Sequence, residues 1–395
     1  MVVKRIRIII LILVVFLSGC WDRIELDRRS FVLGAALDMA PEDNELTIEK
    51  FADTKKSPLF MLTLETALIH KDAESESGNG GGNTQQKRNS LLHIGVGNSF
   101  FEILREEAKE SDRILFFGHQ QVIIIGEELA RKHNILEVLD FWIRDPEVDR
   151  SMKILLARGN ARELFNADPK NSKYVSIFIF NQSEQNRKSA EFINKDFTSI
   201  ISELTECGNG LLGSIEFSEN NSLRVSGSGV IKDCRLVGWL DGHETQAAQY
   251  VLNEAKGGEI TVEDPEREGK FITVEISGVS TKLKVDTKND IPRFTIDTKI
   301  ECNITEIDDE PVKIGKQAIA SVEKAVSAYV KKQIKNTVEK LQKQYKADAL
   351  GFGETLKKRH NKLWKVLEKD WDAIYPEVPV SVQVSTKVRH LGRAY

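Results

Sequence analysis

Ten consecutive apolar residues, Ile8 to Leu17, follow the basic head Lys4, Arg5 and Arg7 and run straight into Ser18-Gly19-Cys20. A bilayer-spanning helix needs ~20 such residues, so this run is too short to be a transmembrane anchor. A charged head, a short apolar core and small residues at its end are the layout of an export signal. After Cys20 the chain turns polar at Trp21-Asp22-Arg23. A plain secretory signal with an incidental cysteine would look similar. The placement of Cys20 directly after the small residues favours a signal that ends on the cysteine itself. What folds is then the chain from residue 20 onward, outside the cytoplasm.

The order Leu17-Ser18-Gly19-Cys20 resembles a lipobox, the signal of bacterial lipoproteins. That resemblance implies cleavage between Gly19 and Cys20 and a diacylglyceryl group on the Cys20 thiol. Each buried lipid CH₂ contributes ~0.8 kcal/mol, so two acyl chains hold firmly where one would not. No later stretch is long and apolar enough to span a bilayer.

Totals narrow the function classes. The 395 residues allow two or three domains, and 41% hydrophobic with 29% charged residues is ordinary for a globular chain. The formal charge is −4, or −7 once Lys4, Arg5 and Arg7 are removed, which argues against a general nucleic-acid binder. Cys207, Cys234 and Cys302 remain beside Cys20, an odd set that permits at most one disulfide. Their spacing fits no metal motif, and buried free thiols are expected, since cysteine behaves as a small hydrophobe.

Along the chain, Phe31–Asp38 reads as a buried strand, and Leu46–Phe51 alternates as a second one. Residues 71–89 carry a single apolar residue, Ala73, and read as a flexible surface loop. Ser99-Phe100-Phe101-Glu102 is a capping box that starts a helix ending near Lys109. Val122–Ile125 and Met152–Arg158 are apolar strands, and helices are expected at 127–133 and 135–144 between them. Ile193–Thr205 reads as a helix, Leu223–Lys232 and Leu236–Leu240 as strands, and Glu244–Ala255 as a short helix. Residues 259–306 then read as three or four strands. From 312 to 345, Ile319, Val322, Val326, Val330, Ile334, Val338, Leu341 and Tyr345 recur at steps of three and four, one stripe on a long helix. Gly351 and Gly353 break it. A second helix is expected to carry Leu356, Leu363, Trp364, Leu367 and Trp371 on one side. In the final strand, 378–388, the valines share one parity.

No catalytic constellation emerges: there is no His-Glu-x-x-His, no Gly-x-Ser-x-Gly and no Walker loop. Gly95-Val96-Gly97 is a fragment of a dinucleotide fingerprint and reads better as a turn. The seven histidines are scattered. The most unusual loop is Ala347-Asp348-Ala349-Leu350-Gly351-Phe352-Gly353-Glu354. Two glycines around Phe352 suggest positive φ and a packed aromatic ring. Asp348 and Glu354 form either a carboxylate pair or caps for the flanking helices. Charge is uneven: 241–310 holds 17 acidic and 8 basic residues, and 313–369 holds 5 acidic and 15 basic. The basic helices are either a solvated face or a surface for anionic lipid or an acidic partner, with Lys331, Lys332 and Lys335 as the residues to test.

Four stretches together are similar to the Ger(x)C family of spore germination lipoproteins. They are Leu17 to Arg23 with Glu25-Leu26, and Gly118-His119 through Gly126-Glu127-Glu128-Leu129-Ala130. The third is Gly227-Ser228-Gly229-Val230 with Leu236 to Asp241 and Glu244-Thr245. The fourth is Tyr345 to Glu354 with Trp364 and Trp371. The loop at 71–89 looks longer than is usual in the family. This resemblance implies an α+β fold of three mixed α/β domains, each a sheet flanked by helices. Divided accordingly, the chain has a signal peptide at 1–19, an N-terminal domain at 20–205, a middle domain at 206–265 and a C-terminal domain at 266–395. It also implies a non-enzymatic C subunit of a nutrient germinant receptor, without cofactor or metal. Such a subunit is lipid-anchored at Cys20 on the outer face of the spore's inner membrane, beside membrane-spanning A and B subunits. The loop residues Asp348, Gly351, Phe352, Gly353 and Glu354 then become a structural or partner-facing element. From another class, an exported substrate-binding lipoprotein holding a small nutrient fits the same leader.

Overall fold

The apolar runs become strands whose two faces are both covered. The computed structural model describes residues 28–41, 59–68, 90–169, 171–186, 188–220, 222–288, 291–308 and 315–390. Gly19, Cys20, the strand expected at Leu46–Phe51 and the loop at 71–89 lie outside these residues. Strands β1 (Arg29–Met39), β2 (Phe60–Ala67), β3 (Ser90–Gly97), β4 (Ile114–Phe116), β5 (Val122–Ile125), β6 (Lys153–Ala157), β7 (Gly210–Phe217), β8 (Leu223–Lys232) and β9 (Arg235–Leu240) form one sheet. Their order is β3-β2-β1-β5-β6-β7-β8-β9, with β4 beside β1. The centre β1-β5-β6-β7 is parallel and both flanks are antiparallel.

Helices α1 (Phe100–Glu110), α2 (Glu127–Lys132), α3 (Ile135–Val138), α4 (Asp140–Arg144), α5 (Ala161–Leu164), α6 (Val175–Asn186) and α7 (Phe197–Cys207) cover this sheet. Parity along β5 shows the two-sided burial. Ile123 and Ile125 join one core with α1, α2 and α7, while Val122 and Ile124 join another with α5 and α6. A strand covered on both faces has no solvent side for a polar residue, hence Val-Ile-Ile-Ile.

Two buried acids tie this sheet to its helices. Asp38, at the end of β1, accepts the N–H groups of Ala161 and Arg162 at 2.8 Å each and so caps α5. Glu65 of β2 accepts from Val175 and Ser176 N–H at 3.0 and 2.8 Å and caps α6. Burial pushes the Asp38 carboxyl up to about 6, against the pull of the two N–H groups. Its folded value therefore lies above its unfolded one. Between about pH 4 and 6 the native state holds a proton that the unfolded chain has released, so stability falls as pH rises through that window. We expect this group to contribute a decline of roughly 3 kcal/mol. Urea unfolding of wild type and Asp38→Asn across the window measures it; equal slopes in the two proteins would refute the assignment.

The second sheet comprises β10 (Glu259–Glu263), β11 (Phe271–Asp286), β12 (Arg293–Ile307) and β13 (Val380–His390), in that order. β13 enters parallel to β12, Phe294 facing Val380 and Ile296 facing Val382. Helix α8 (Gly242–Leu252) leads from the first sheet to the second, and α9 (Lys316–Glu339) lies against β13 and α8. The α9 stripe is as expected, with Val322, Val326, Val330, Ile334 and Val338 all buried. Alternation in β13 also holds, with Val382 and Val388 inward and Gln383 and Lys387 exposed. A π-helical turn, Lys340–Tyr345, ends α9.

The mixed α/β architecture with helix-flanked sheets is as expected. Strands β7–β9, beyond the expected boundary at 205/206, hydrogen-bond into the first sheet, and one apolar core joins Leu211, Val230 and Leu240 to α8, α9 and the second sheet. Several local expectations change, and the helix expected at 135–144 is parted at Leu139 into α3 and α4. The helix expected from Ile193 starts at Phe197, because Asp196 takes the N-cap and accepts the Ser199 N–H at 2.8 Å. The single helix expected after Gly353 is broken into α10 (Phe352–Arg359), α11 (Asn361–Leu367) and α12 (Trp371–Ile374). The first break is at His360, whose φ of −134° leaves the helical region. Cys234 and Cys302 are buried free thiols, but Cys207 is exposed at the end of α7.

Candidate functional site

The loop between α9 and α10 is built on one carboxylate. Asp348 accepts the Phe352 N–H at 2.9 Å, the Gly353 N–H at 2.7 Å and the Trp371 indole N–H at 2.9 Å. It thereby satisfies the first N–H groups of α10, which no intrahelical carbonyl can reach. Burial pushes the Asp348 carboxyl up, and the donors from Gly353, Phe352 and Trp371 oppose that shift without cancelling it. Glu354 pairs instead with Lys358 at the surface. The two acids thus have separate partners and do not form a shared carboxylate pair.

Gly351 has the expected positive φ, +74°. Gly353 does not, and its need for glycine is steric. A Cβ there would stand 2.8 Å from Trp371 Nε1 and 3.0 Å from the Trp364 ring. Phe352 is fully buried, edge-on to Phe294 of β12 at 5.0 Å and beside Tyr375. The loop therefore plugs the end of the second sheet.

Its near end reaches the first sheet. Tyr345 closes the π-helical turn, donates its hydroxyl to the Trp239 carbonyl at 2.9 Å and accepts the Trp239 N–H at 3.2 Å. Its ring fills the space beside Gly238, where a Cβ would overlap the ring. The Trp239 indole donates to Glu127 of α2 at 3.2 Å, and Arg158 sits 4.6 Å above the indole ring. Burial pushes the Glu127 carboxyl up, but the Arg131 and Trp239 hydrogen bonds outweigh it, so the net direction is down. Lys340 then reaches across to Glu244 of α8 at 2.6 Å. Asp241 and Glu244 form a reciprocal capping box on α8. Residues 127, 239 and 345 thus form one chain of contacts between the two sheets, which Lys340, 5.7 Å from the Tyr345 ring centre, extends to Glu244. It has no nucleophile and base in mutual reach, and among the described residues no group of three metal-ligating side chains occurs.

Comparison with known proteins decides what this junction belongs to. Residues 22–217 match the family described as spore germination protein N-terminal domain, and residues 226–392 match spore germination B3/GerAC like, C-terminal. The chain belongs to the Ger(x)C family. Among its relatives in Bacillus subtilis (strain 168), spore germination protein B3 is 27% identical, with 95% of each chain covered. Spore germination protein YndF is 25% identical over 98% of this chain and 96% of its own, and spore germination protein A3 is 25% identical over 98% of both. The crystal structure of the GerBC protein has the same fold, with a TM-score of 0.58 over 84% of this chain and 94% of that one, at 23% identity.

In this Ger(x)C protein, three of the stretches read from the sequence meet in space. Glu127 comes from the second, Trp239 and Glu244 from the third, and Tyr345 from the fourth. The sequence named them separately. It gave no signal that Tyr345 packs on Gly238, because the stripe on α9 explained the tyrosine as an ordinary core residue. It also left Arg158 unnoticed. Asp348, Gly351, Phe352, Gly353 and Glu354 lie together in the loop; Gly19 and Cys20 are outside the described residues.

Proposed function

We propose that this protein is the lipid-anchored C subunit of a nutrient germinant receptor. It acts in receptor assembly and germination signalling on the outer face of the spore's inner membrane. The observation that carries this is the match along nearly the whole chain, from residue 22 to 392, to proteins named for spore germination. No described helix is long and apolar enough to cross a membrane. Attachment then falls to a diacylglyceryl group on Cys20, and partners are the membrane-spanning A and B subunits. Confinement to a thin layer raises the effective concentration of those partners without any new contact. The junction at Tyr345 and Trp239 suits this role, since it holds two helix-covered sheets as one scaffold.

Replacing Cys20 with alanine is the test. We expect the protein to leave the membrane fraction, to lose its acyl mass and to give weakened germination with a lower receptor level. Normal germination from a soluble, unacylated Cys20→Ala protein would overturn the anchored subunit.

One observation favours the second reading, an exported substrate-binding lipoprotein. A groove of about 840 Å³ opens between Phe60, Phe101, Val138 and Phe141. Titration calorimetry with amino acids and sugars separates the two, and a receptor scaffold is expected to give no binding heat.

A further inference from the structure

Helix α11 lies at the surface and turns one apolar residue outward among its lysines. None of its seven residues is buried, although Leu363, Trp364 and Leu367 rest partly on the core. The opposite side carries Lys362, Lys365 and Val366, which follow one another at i, i+3 and i+4 and so share one helical face, and Lys369 follows in the 3₁₀ turn Glu368–Asp370. All four are exposed, and Val366 is 70% exposed, the most of any large hydrophobic side chain in the described residues. Arg359, at the end of α10, adds a further exposed cation.

Three other cations in this region are neutralised. Lys357 lies 3.9 Å from Glu206, Lys358 pairs with Glu354 and Lys343 with Glu377. Among the described residues, Arg359, Lys362, Lys365 and Lys369 have no ion-pair partner. From 357 to 369 there are six basic residues and one acidic residue. Four unpaired cations around one outward apolar side chain match an anionic bilayer surface: headgroups meet the charge, and the interface below them takes the valine.

We propose that α11 docks on the membrane, with Arg359, Lys362, Lys365 and Lys369 against anionic lipid headgroups and Val366 in the interfacial layer. This rests on the membrane-anchored reading of the chain and adds an orientation to it. The acyl group on Cys20 fixes one point, and α11 fixes a second, so the two sheets stand at a set angle to the bilayer rather than swinging on a tether. Each cation removed is expected to lower the docking equilibrium roughly fivefold.

The test uses the full acylated chain with an environment-sensitive fluorophore on Val366→Cys in a Cys207→Ser background. Cys234 and Cys302 are buried and escape labelling. The protein is added to vesicles of phosphatidylcholine alone or mixed with phosphatidylglycerol, and flotation is read beside the probe. We expect flotation on both, a blue shift and quenching by brominated acyl chains only on the anionic vesicles, and loss of both signals in Lys362→Gln/Lys365→Gln/Lys369→Gln or in high salt. Flotation on both with a water-exposed probe on both overturns the docking and leaves the anchor standing. Flotation only on anionic vesicles, with the blue shift, supports the docking and removes the anchor. A probe exposed on anionic vesicles but shielded in the co-purified receptor overturns the lipid assignment in favour of an acidic protein partner.

Discussion

Asp348→Ala is expected to destabilise the protein by about 3 kcal/mol, while Glu354→Ala, six residues away, costs less than about 1 kcal/mol. The two carboxylates look equivalent in the sequence and differ in what they hold. Removing the Asp348 side chain orphans the Phe352 and Gly353 N–H groups and the Trp371 indole N–H, all in a buried loop. Each orphaned buried donor costs about 1–3 kcal/mol, and relief of the carboxylate's own burial returns part of the sum. Glu354 is a surface partner of Lys358, where water replaces the lost ion pair. Asp348→Asn should fall between, because an amide oxygen keeps two donors and its NH₂ group opposes the third. Urea unfolding of the three variants measures the ranking. Equal losses for the alanine variants would show that Asp348 is not the cap on which the loop is built.

Such a cap is also the limit of what the chain discloses in one dimension. Asp348 was visible as an odd residue in an odd loop because its partners are four, five and 23 residues away. Asp38 and Glu65 do the same work in the first sheet and gave no signal. Their partners stand more than 100 positions later, and an acid at a strand end looks like any exposed acid. Local patterns were legible wherever one element decides its own burial. Val122–Ile125 is central because no member is polar, and β13 alternates because one face is wet. Breaks set by tertiary contacts were not legible. The residues after Gly353 keep a helical spacing of Leu356, Leu363, Leu367 and Trp371, yet the chain bends at His360 so that Trp371 can reach Asp348. The capping box at Ser99 shows the same limit on a small scale. Ser99 accepts the Glu102 N–H as expected, but the Glu102 carboxylate takes the N–H of Asn98 instead of that of Ser99.

The junction between the sheets should respond non-additively. Gly238→Val forces a branched side chain into the Tyr345 ring, whose hydroxyl is held on both sides by the Trp239 backbone. Overpacking of this kind costs about 3 kcal/mol when the neighbour cannot swing away. Tyr345→Ala alone removes the ring and the two hydrogen bonds, also roughly 3 kcal/mol. In the double variant the valine meets empty space where the ring stood, so the total should be close to that of Tyr345→Ala alone. The coupling energy is then about 2–3 kcal/mol, far above the few tenths expected of independent sites. Tyr345→Phe keeps the ring and loses only the hydroxyl, so Gly238→Val should remain costly in that background. Calorimetry adds a second readout. If the contact chain from Glu127 to Tyr345 is what makes the two sheets melt together, Gly238→Val should broaden or split the transition where Asp348→Ala only shifts it. Additive losses with a single sharp transition throughout would mean that the shared core around α8 couples the sheets and that the tyrosine is incidental.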